Sequence, residues 1–132
     1  MNASRRWNPP GIAAPVYGYS HAVLTTNATQ WLHLSGQIGI RPDRTVADGL
    51  EAQLDQCFSN IDTALTDAGM TRENLVKLTI YLTSSAPDAI STYRARRDAF
   101  VGTGTPPAAT LLVVAALAGA GLLVEVDAIA AA

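Results

Sequence analysis

Apolar residues recur at three- and four-residue spacing in one clear stretch: Leu50, Leu54, Cys57, Phe58, Ile61, Leu65 and Ala68. That period predicts an amphipathic helix. Glu51, Asp55, Asn60, Asp62 and Asp67 take its other face, and Gly69 stops it. Elsewhere the period is two. His21–Thr25 and Trp31–Ile40 read as strands joined by the short polar connection 26–30. In Val76–Leu82 every second side chain is aliphatic, as in a half-buried strand. Pro87 then opens a second helix, whose inner stripe is Ile90, Tyr93, Arg97 and Phe100 or Val101. Ala109–Leu117 and Leu122–Ala130 complete the set as strands four and five.

The predicted order is β-β-α-β-α-β-β, an α+β fold with a mixed five-stranded sheet and two helices on one face. Residues 1–15 read as an irregular N-terminal arm. The whole chain, 1–132, is read as a single domain. Strand four (Leu111, Leu112, Val113, Val114) is apolar on both faces, as in a strand covered on both sides. Two helices cover one face only, so the second face needs a cover from outside the chain. Another copy of the chain is the simplest supplier.

Composition sharpens this picture. Hydrophobic residues make up 48% and charged residues 15% of the 132 positions. Disorder needs the reverse balance. Small chains bury surface poorly, and oligomerisation is a common remedy. The net charge is −2, Lys77 is the one lysine, and no basic stripe is present, so nucleic-acid binding is not expected. Cys57 is the one cysteine, which fits a reducing, cytoplasmic setting. Arg5-Arg6 lead into Trp7 and two prolines, unlike a secretory signal. The uncharged run Ala108–Val124 approaches a membrane helix in length. Ala118-Gly119-Ala120-Gly121 breaks it, however, and Glu125 and Asp127 follow, so two strands joined by a turn are expected and no membrane span.

No metal motif, phosphate loop or nucleophile elbow is visible, and no cofactor is expected. In strand five, Leu123, Glu125, Asp127 and Ile129 share one face, while Val124, Val126 and Ala128 share the other. The valine face should meet the helices, which leaves both carboxylates on the uncovered face. Such acids either hydrogen-bond structurally or, desolvated, serve as general acid and base. In strand two, Trp31, His33 and Ser35 share a face, and Gly36 and Gln37 follow. A glycine there exposes backbone amides to a ligand. Cys57 lies in the helix stripe and reads as core. Trp7 either packs the arm or covers a pocket.

Several segments resemble the Rid family (YjgF or L-PSP proteins). Gly18-Tyr19-Ser20-His21-Ala22 is similar to its Gly-Pro-Tyr-Ser-Gln-Ala segment. Leu34-Ser35-Gly36-Gln37-Ile38 is similar to its Ser-Gly-Gln core. Pro107-Ala108 falls at its Pro-Ala-Arg-Ser, and Val124–Ala130 resembles its closing strand. The resemblance covers roughly residues 12–131. It implies a chorismate-mutase-like fold, a homotrimer and pockets between subunits. It also implies hydrolysis of reactive enamines or imines without cofactor or metal.

By position, Glu125 and Tyr19 would be the catalytic groups. His33, Ser35, Gly36, Gln37, Ala109, Thr110 and Leu111 would contact the substrate. The family arginine that forks onto a substrate carboxylate aligns with Ala109, and the cysteine two positions on aligns with Leu111. A methyl group cannot replace a bidentate guanidinium. The expected substrate is therefore a small imine, enamine or related reactive metabolite without the 2-imino acid carboxylate, unless Arg94 or Arg97 substitutes. A trimer that binds a small metabolite without turning it over is the alternative, and a ribonuclease the third possibility.

Overall fold

A computed structural model describes residues 3–132. Its elements are β1 (Ala3–Trp7), β2 (Ala22–Thr26), β3 (Trp31–Ile38), α1 (Gly49–Asp67), β4 (Leu75–Leu82), α2 (Pro87–Val101), β5 (Ala108–Val113) and β6 (Val124–Ala131), with a 3-10 turn at Arg72–Asn74. The strand order is β3-β6-β4-β5 in one sheet and β1-β2 in another. β4 and β5 run parallel, as the intervening α2 crossover requires. β6 is antiparallel to both β3 and β4.

The alternation in β6 works as its pattern predicts. Val124, Val126, Ala128 and Ala130 are buried, while Glu125, Asp127 and Ile129 stay partly open on the other side. Leu54, Cys57, Phe58, Ile61 and Leu65 of α1 pack on the buried face, joined by Leu78, Ile80 and Leu82 of β4. Each fully buried aliphatic side chain contributes about 1.5–3 kcal/mol. α2 adds Tyr93, Arg97 and Phe100, and Phe58 stacks on Phe100 at 4.6 Å. Gly69 takes φ +70°, the left-handed conformation that ends α1 without a Cβ penalty.

Three expectations are corrected. Residues 1–15 are not all irregular, because Ala3–Trp7 is a strand paired antiparallel to β2. It has no apolar face. It is held by the ladder, by Ser4 Oγ against Thr25 Oγ1 at 2.8 Å, and by Arg6, which donates to the carbonyls of Thr105, Glu73 and Leu75. Trp7 lies opposite Ala22 within this hairpin, under the Arg5 guanidinium.

The element order therefore has six strands, and the main sheet has four rather than five. β2 reaches that sheet only through one bridge, Ser20 beside Ala108, so the hairpin stands off the β5 edge. Strand four also ends at Val113 and not at Leu117. β4, its one partner in the sheet, runs out at Leu82, opposite Val113. Residues 114–123 then form a loop, so the long uncharged run divides into strand, loop and strand. Among the described residues, no helix is long and apolar enough to cross a membrane. Among the described residues, none of the elements covers the sheet face opposite the helices. Trp31 and Leu112 lie exposed on it, Leu123 is exposed just before β6, and Trp31 keeps about half its surface (52%).

Candidate functional site

Glu125 sits on the open face of β6, opposite Ile38 of β3 and Tyr81 of β4. Its carboxylate lies against Gly36. A Cβ at Gly36 would come within 2.5 Å of Glu125 Oε1 and 2.6 Å of its carboxyl carbon. The missing side chain thus makes the seat for the acid. The register of β3 shifts between Leu34 and Gln37, and this irregularity holds Ser35 and Gly36. Bulges commonly re-aim side chains next to sites. Beyond it Gln37 pairs with Val126, while its side-chain amide turns back to donate to the Ser35 carbonyl at 3.1 Å.

Of the two polar neighbours of Glu125, Asp127 was expected on this face and Tyr81 was not singled out by sequence. Tyr81 Oη donates to Asp127 Oδ2 at 3.1 Å. That bond, then desolvation and the negative charges of Asp127 and Glu125, hold the phenol above its ordinary range. Glu125, Tyr81 and Asp127 therefore form one polar group on an otherwise mixed face. The alternation in β4 placed Tyr81 on the open face, but nothing in the sequence put it beside both acids.

Cys57 lies behind the strand. Its thiol donates to the Gln37 carbonyl at 3.2 Å. Burial, helped by the charge of Glu125, pushes it up to about 12, so it stays a neutral core thiol.

An apolar cavity of about 330 Å³ opens beside Glu125. Ile38, Ile40, Val46, Leu117 and Leu122 supply most of its wall. A larger cavity, about 720 Å³, lies between Arg6, Thr71–Leu75 and Thr103–Thr105, and its lining includes neither Glu125 nor Asp127. Both of its arginines are already engaged: Arg6 donates to the backbone carbonyls that hold the hairpin in place, and Arg72 donates to Asp62 and to the Phe100 carbonyl. The chemistry therefore favours the smaller cavity. Among the described residues, no three His, Cys, Asp or Glu side chains converge in a way that could hold a metal ion.

The residues expected to form the site fall into two groups. Glu125, Ser35, Gly36 and Gln37 lie together at β3 and β6. Tyr19, Ala109, Thr110 and Leu111 lie at the β5 edge. Ser20, next to Tyr19, bridges Ala108 and donates its hydroxyl to the Pro106 carbonyl at 2.5 Å. Leu112, level with Glu125, is two strands away, and Ala109 is three residues further along. That separation is about 14 Å, from ~4.8 Å per strand and ~3.3 Å per residue.

Ala109 and Leu111 flank Leu78 and Ile80 and pack towards the helix-side core. Within one chain, therefore, they do not line the cavity beside Glu125, and the expected pocket between subunits is the arrangement that would bring them to it. Thr110 faces the open side and accepts a 2.7 Å hydrogen bond from Lys77. His33 pairs with Ile129, four residues from Glu125 along β6 (about 13 Å), and stacks on Trp31 instead.

The loop bearing Tyr19 is organised by other residues. His21 lies edge-on to Tyr19, with its Nε2 2.6 Å from the Ala13 carbonyl oxygen. Arg94 stacks over Tyr17 at 3.2 Å. Arg97 is buried, donates to Asp98 at 2.7 Å and fills the space beside Gly18. Both arginines belong to the β5-edge group and not to Glu125.

A family model described as "Endoribonuclease L-PSP" matches residues 11–132. A "RutC family protein" of Aquifex aeolicus is 42% identical over 80 residues, which are 60% of this chain and 62% of that protein. The match therefore spans under two thirds of that relative's length. Among solved structures, a protein of unknown function of the conserved Rid protein family from Yersinia pestis superposes with a TM-score of 0.89. It is 31% identical, and 98% of each chain is covered. RidA from an Antarctic Psychrobacter species gives a TM-score of 0.71 at 30% identity, covering 90% of this chain and 92% of that one.

Proposed function

This chain belongs to the Rid family of L-PSP proteins, and from that premise we propose that it is a homotrimeric hydrolase of small, neutral imines or enamines. One observation carries the proposal: Glu125 is seated on Gly36, on an uncovered sheet face, at the mouth of an apolar cavity. The two separated residue groups support an assembled site. A second copy laid on the open face can bring its β5 edge, with Tyr19 and Ala109, to the Glu125 of the first. Exposed Trp31, Leu112 and Leu123 are the surface such packing would bury.

The chemistry needs only water as co-reactant. Water adds across the C=N bond, and its proton passes to the Glu125 carboxylate and on to nitrogen. The hydroxyl proton of the carbinolamine then passes by way of Glu125 to nitrogen, the C–N bond breaks, ammonia leaves, and the oxygen remains as a carbonyl. An enamine first takes a proton on carbon and gives one up from nitrogen to become the imine. Neutrality of the substrate follows from Ala109, which offers no cation to a carboxylate. RNA cleavage is not favoured, because the chain is acidic and Lys77 is the one lysine available to a phosphate backbone.

The test is ammonia release from a panel of imines generated in place. Neutral aliphatic imines should turn over at least about tenfold faster than 2-iminopropionate, the loss of one charge-assisted clamp being worth ~1.5–3 kcal/mol. Equal rates, or a preference for 2-iminopropionate, would contradict the neutral-substrate assignment. No turnover anywhere, with saturable binding of an apolar ligand, would leave a metabolite-binding trimer instead.

A further inference from the structure

The cavity beside Glu125 has features of a built pocket. One wall comes from the segment that holds Ile40 and Val46, the other from the loop that holds Leu117 and Leu122. A single buried side chain ties both walls to α1. Gln53 Nε2 donates to the Ala47 carbonyl at 3.2 Å and to the Gly121 carbonyl at 2.9 Å, while its Oε1 accepts from the Leu123 N–H at 2.8 Å. Gln53 is 2% exposed; its bond to Ala47 is buried and the other two are partly buried. Gly119 closes the floor, since a Cβ there would stand 2.8 Å from Leu122 Cδ1. The one ionisable group on the lining is Glu125, at one end.

We propose that this pocket is a specificity site for an uncharged alkyl substituent of the substrate, several carbons long, attached to the carbon on which Glu125 acts. The inference rests on the catalytic reading of Glu125 and adds the class of side chain the substrate carries. A carbon held at the carboxylate has its substituent directed along the cavity. There the lining is mainly hydrocarbon, so burial is favourable and a second charge is not. The volume falls in the range of small-molecule sites. Pinning by Gln53 means the pocket is present before a ligand arrives, which lowers the ordering cost of binding.

The probes are the primary amides acetamide, butyramide and hexanamide, stable neutral mimics of an imine, with hexanoate as the charged counterpart. Binding to the full-length protein is followed by amide chemical shifts of Ile38, Gly119 and Gly121. Each added methylene should tighten binding about fourfold, the equivalent of ~0.8 kcal/mol per buried CH2. Hexanoate should bind at least about tenfold more weakly than hexanamide, because it faces Glu125. Leu117→Gln should flatten the series to under about twofold per methylene. Val46→Thr, on the opposite wall, should do the same and guards against a fold defect in the first variant.

A flat series in the unaltered protein, hexanoate binding as tightly as hexanamide, or shifts confined to other surfaces would overturn the pocket. The outcomes also separate the two claims. A flat series together with lost imine turnover in Glu125→Gln removes the pocket and keeps the catalytic reading. A steep series together with undiminished turnover in that variant supports the pocket and removes the catalytic reading.

Discussion

Glu125→Gln should lower ammonia release from a neutral imine by about 10²- to 10⁴-fold, the range general acid–base catalysis contributes. The substitution keeps the side chain's shape and its place against Gly36, but an amide neither takes a proton from water nor returns one to nitrogen. The fold should persist, because Glu125 packs on the open face and takes no part in the core of Val124, Val126 and Leu54. The measurement is single-substrate turnover with circular dichroism as the fold control. Unchanged turnover in a folded variant would remove Glu125 from the mechanism and leave Tyr81 and Asp127 as the polar groups beside it.

Gly36→Ala should cost about 100-fold in turnover and little in stability. The backbone at Gly36 does not need a glycine conformation, as its φ is not in the left-handed region. What an alanine lacks is room. Its methyl would stand 2.5 Å from Glu125 Oε1 and 2.8 Å from Glu125 Cγ. A flexible glutamate yields more readily than a strand, so the carboxylate moves while the sheet stays. A displacement of ~1 Å at a reacting group is enough for a loss of this size. Thermal unfolding should therefore stay within a few degrees of the parent, against a large fall in kcat. A fall in stability with turnover retained would show that Gly36 serves the strand and not the acid.

How far the sequence discloses the molecule can be judged at these same residues. The helix α1 was legible because its apolar spacing runs uninterrupted to Gly69. The split of β6 into a valine face and a carboxylate face was legible because a period of two leaves no other arrangement. β1 was not, since Ala3–Trp7 carries no apolar alternation and owes its place to β2 and to the Arg6 bonds. The end of β5 was not, because an apolar run does not say where its partner strand stops. Residues 114–117 continue the apolar composition but leave the sheet, and Leu117 becomes pocket wall.

The candidate site was legible in its parts and not in its arrangement. Each strand's pattern tells which side chains share a face. It does not tell that β6 lies between β3 and β4, or that β5 lies two strands from Glu125. Motif matching grouped Ala109 with Glu125, whereas the pairing of β4 with β5 turns Ala109 to the helix side of the far edge. Tyr81 escaped notice for the same reason, as its closeness to Asp127 and Glu125 depends on long-range register. On the proposed reading, the two residue groups, about 14 Å apart on one chain, act together only when two chains meet.

That requirement makes assembly the central claim, and sedimentation velocity at micromolar concentration tests it most directly. The account predicts one species of three times the 13.8 kDa chain mass, with no slower boundary on dilution. A single boundary at the mass of one chain would contradict it, since the open face would then meet water and the β5 edge would have no Glu125 to complete.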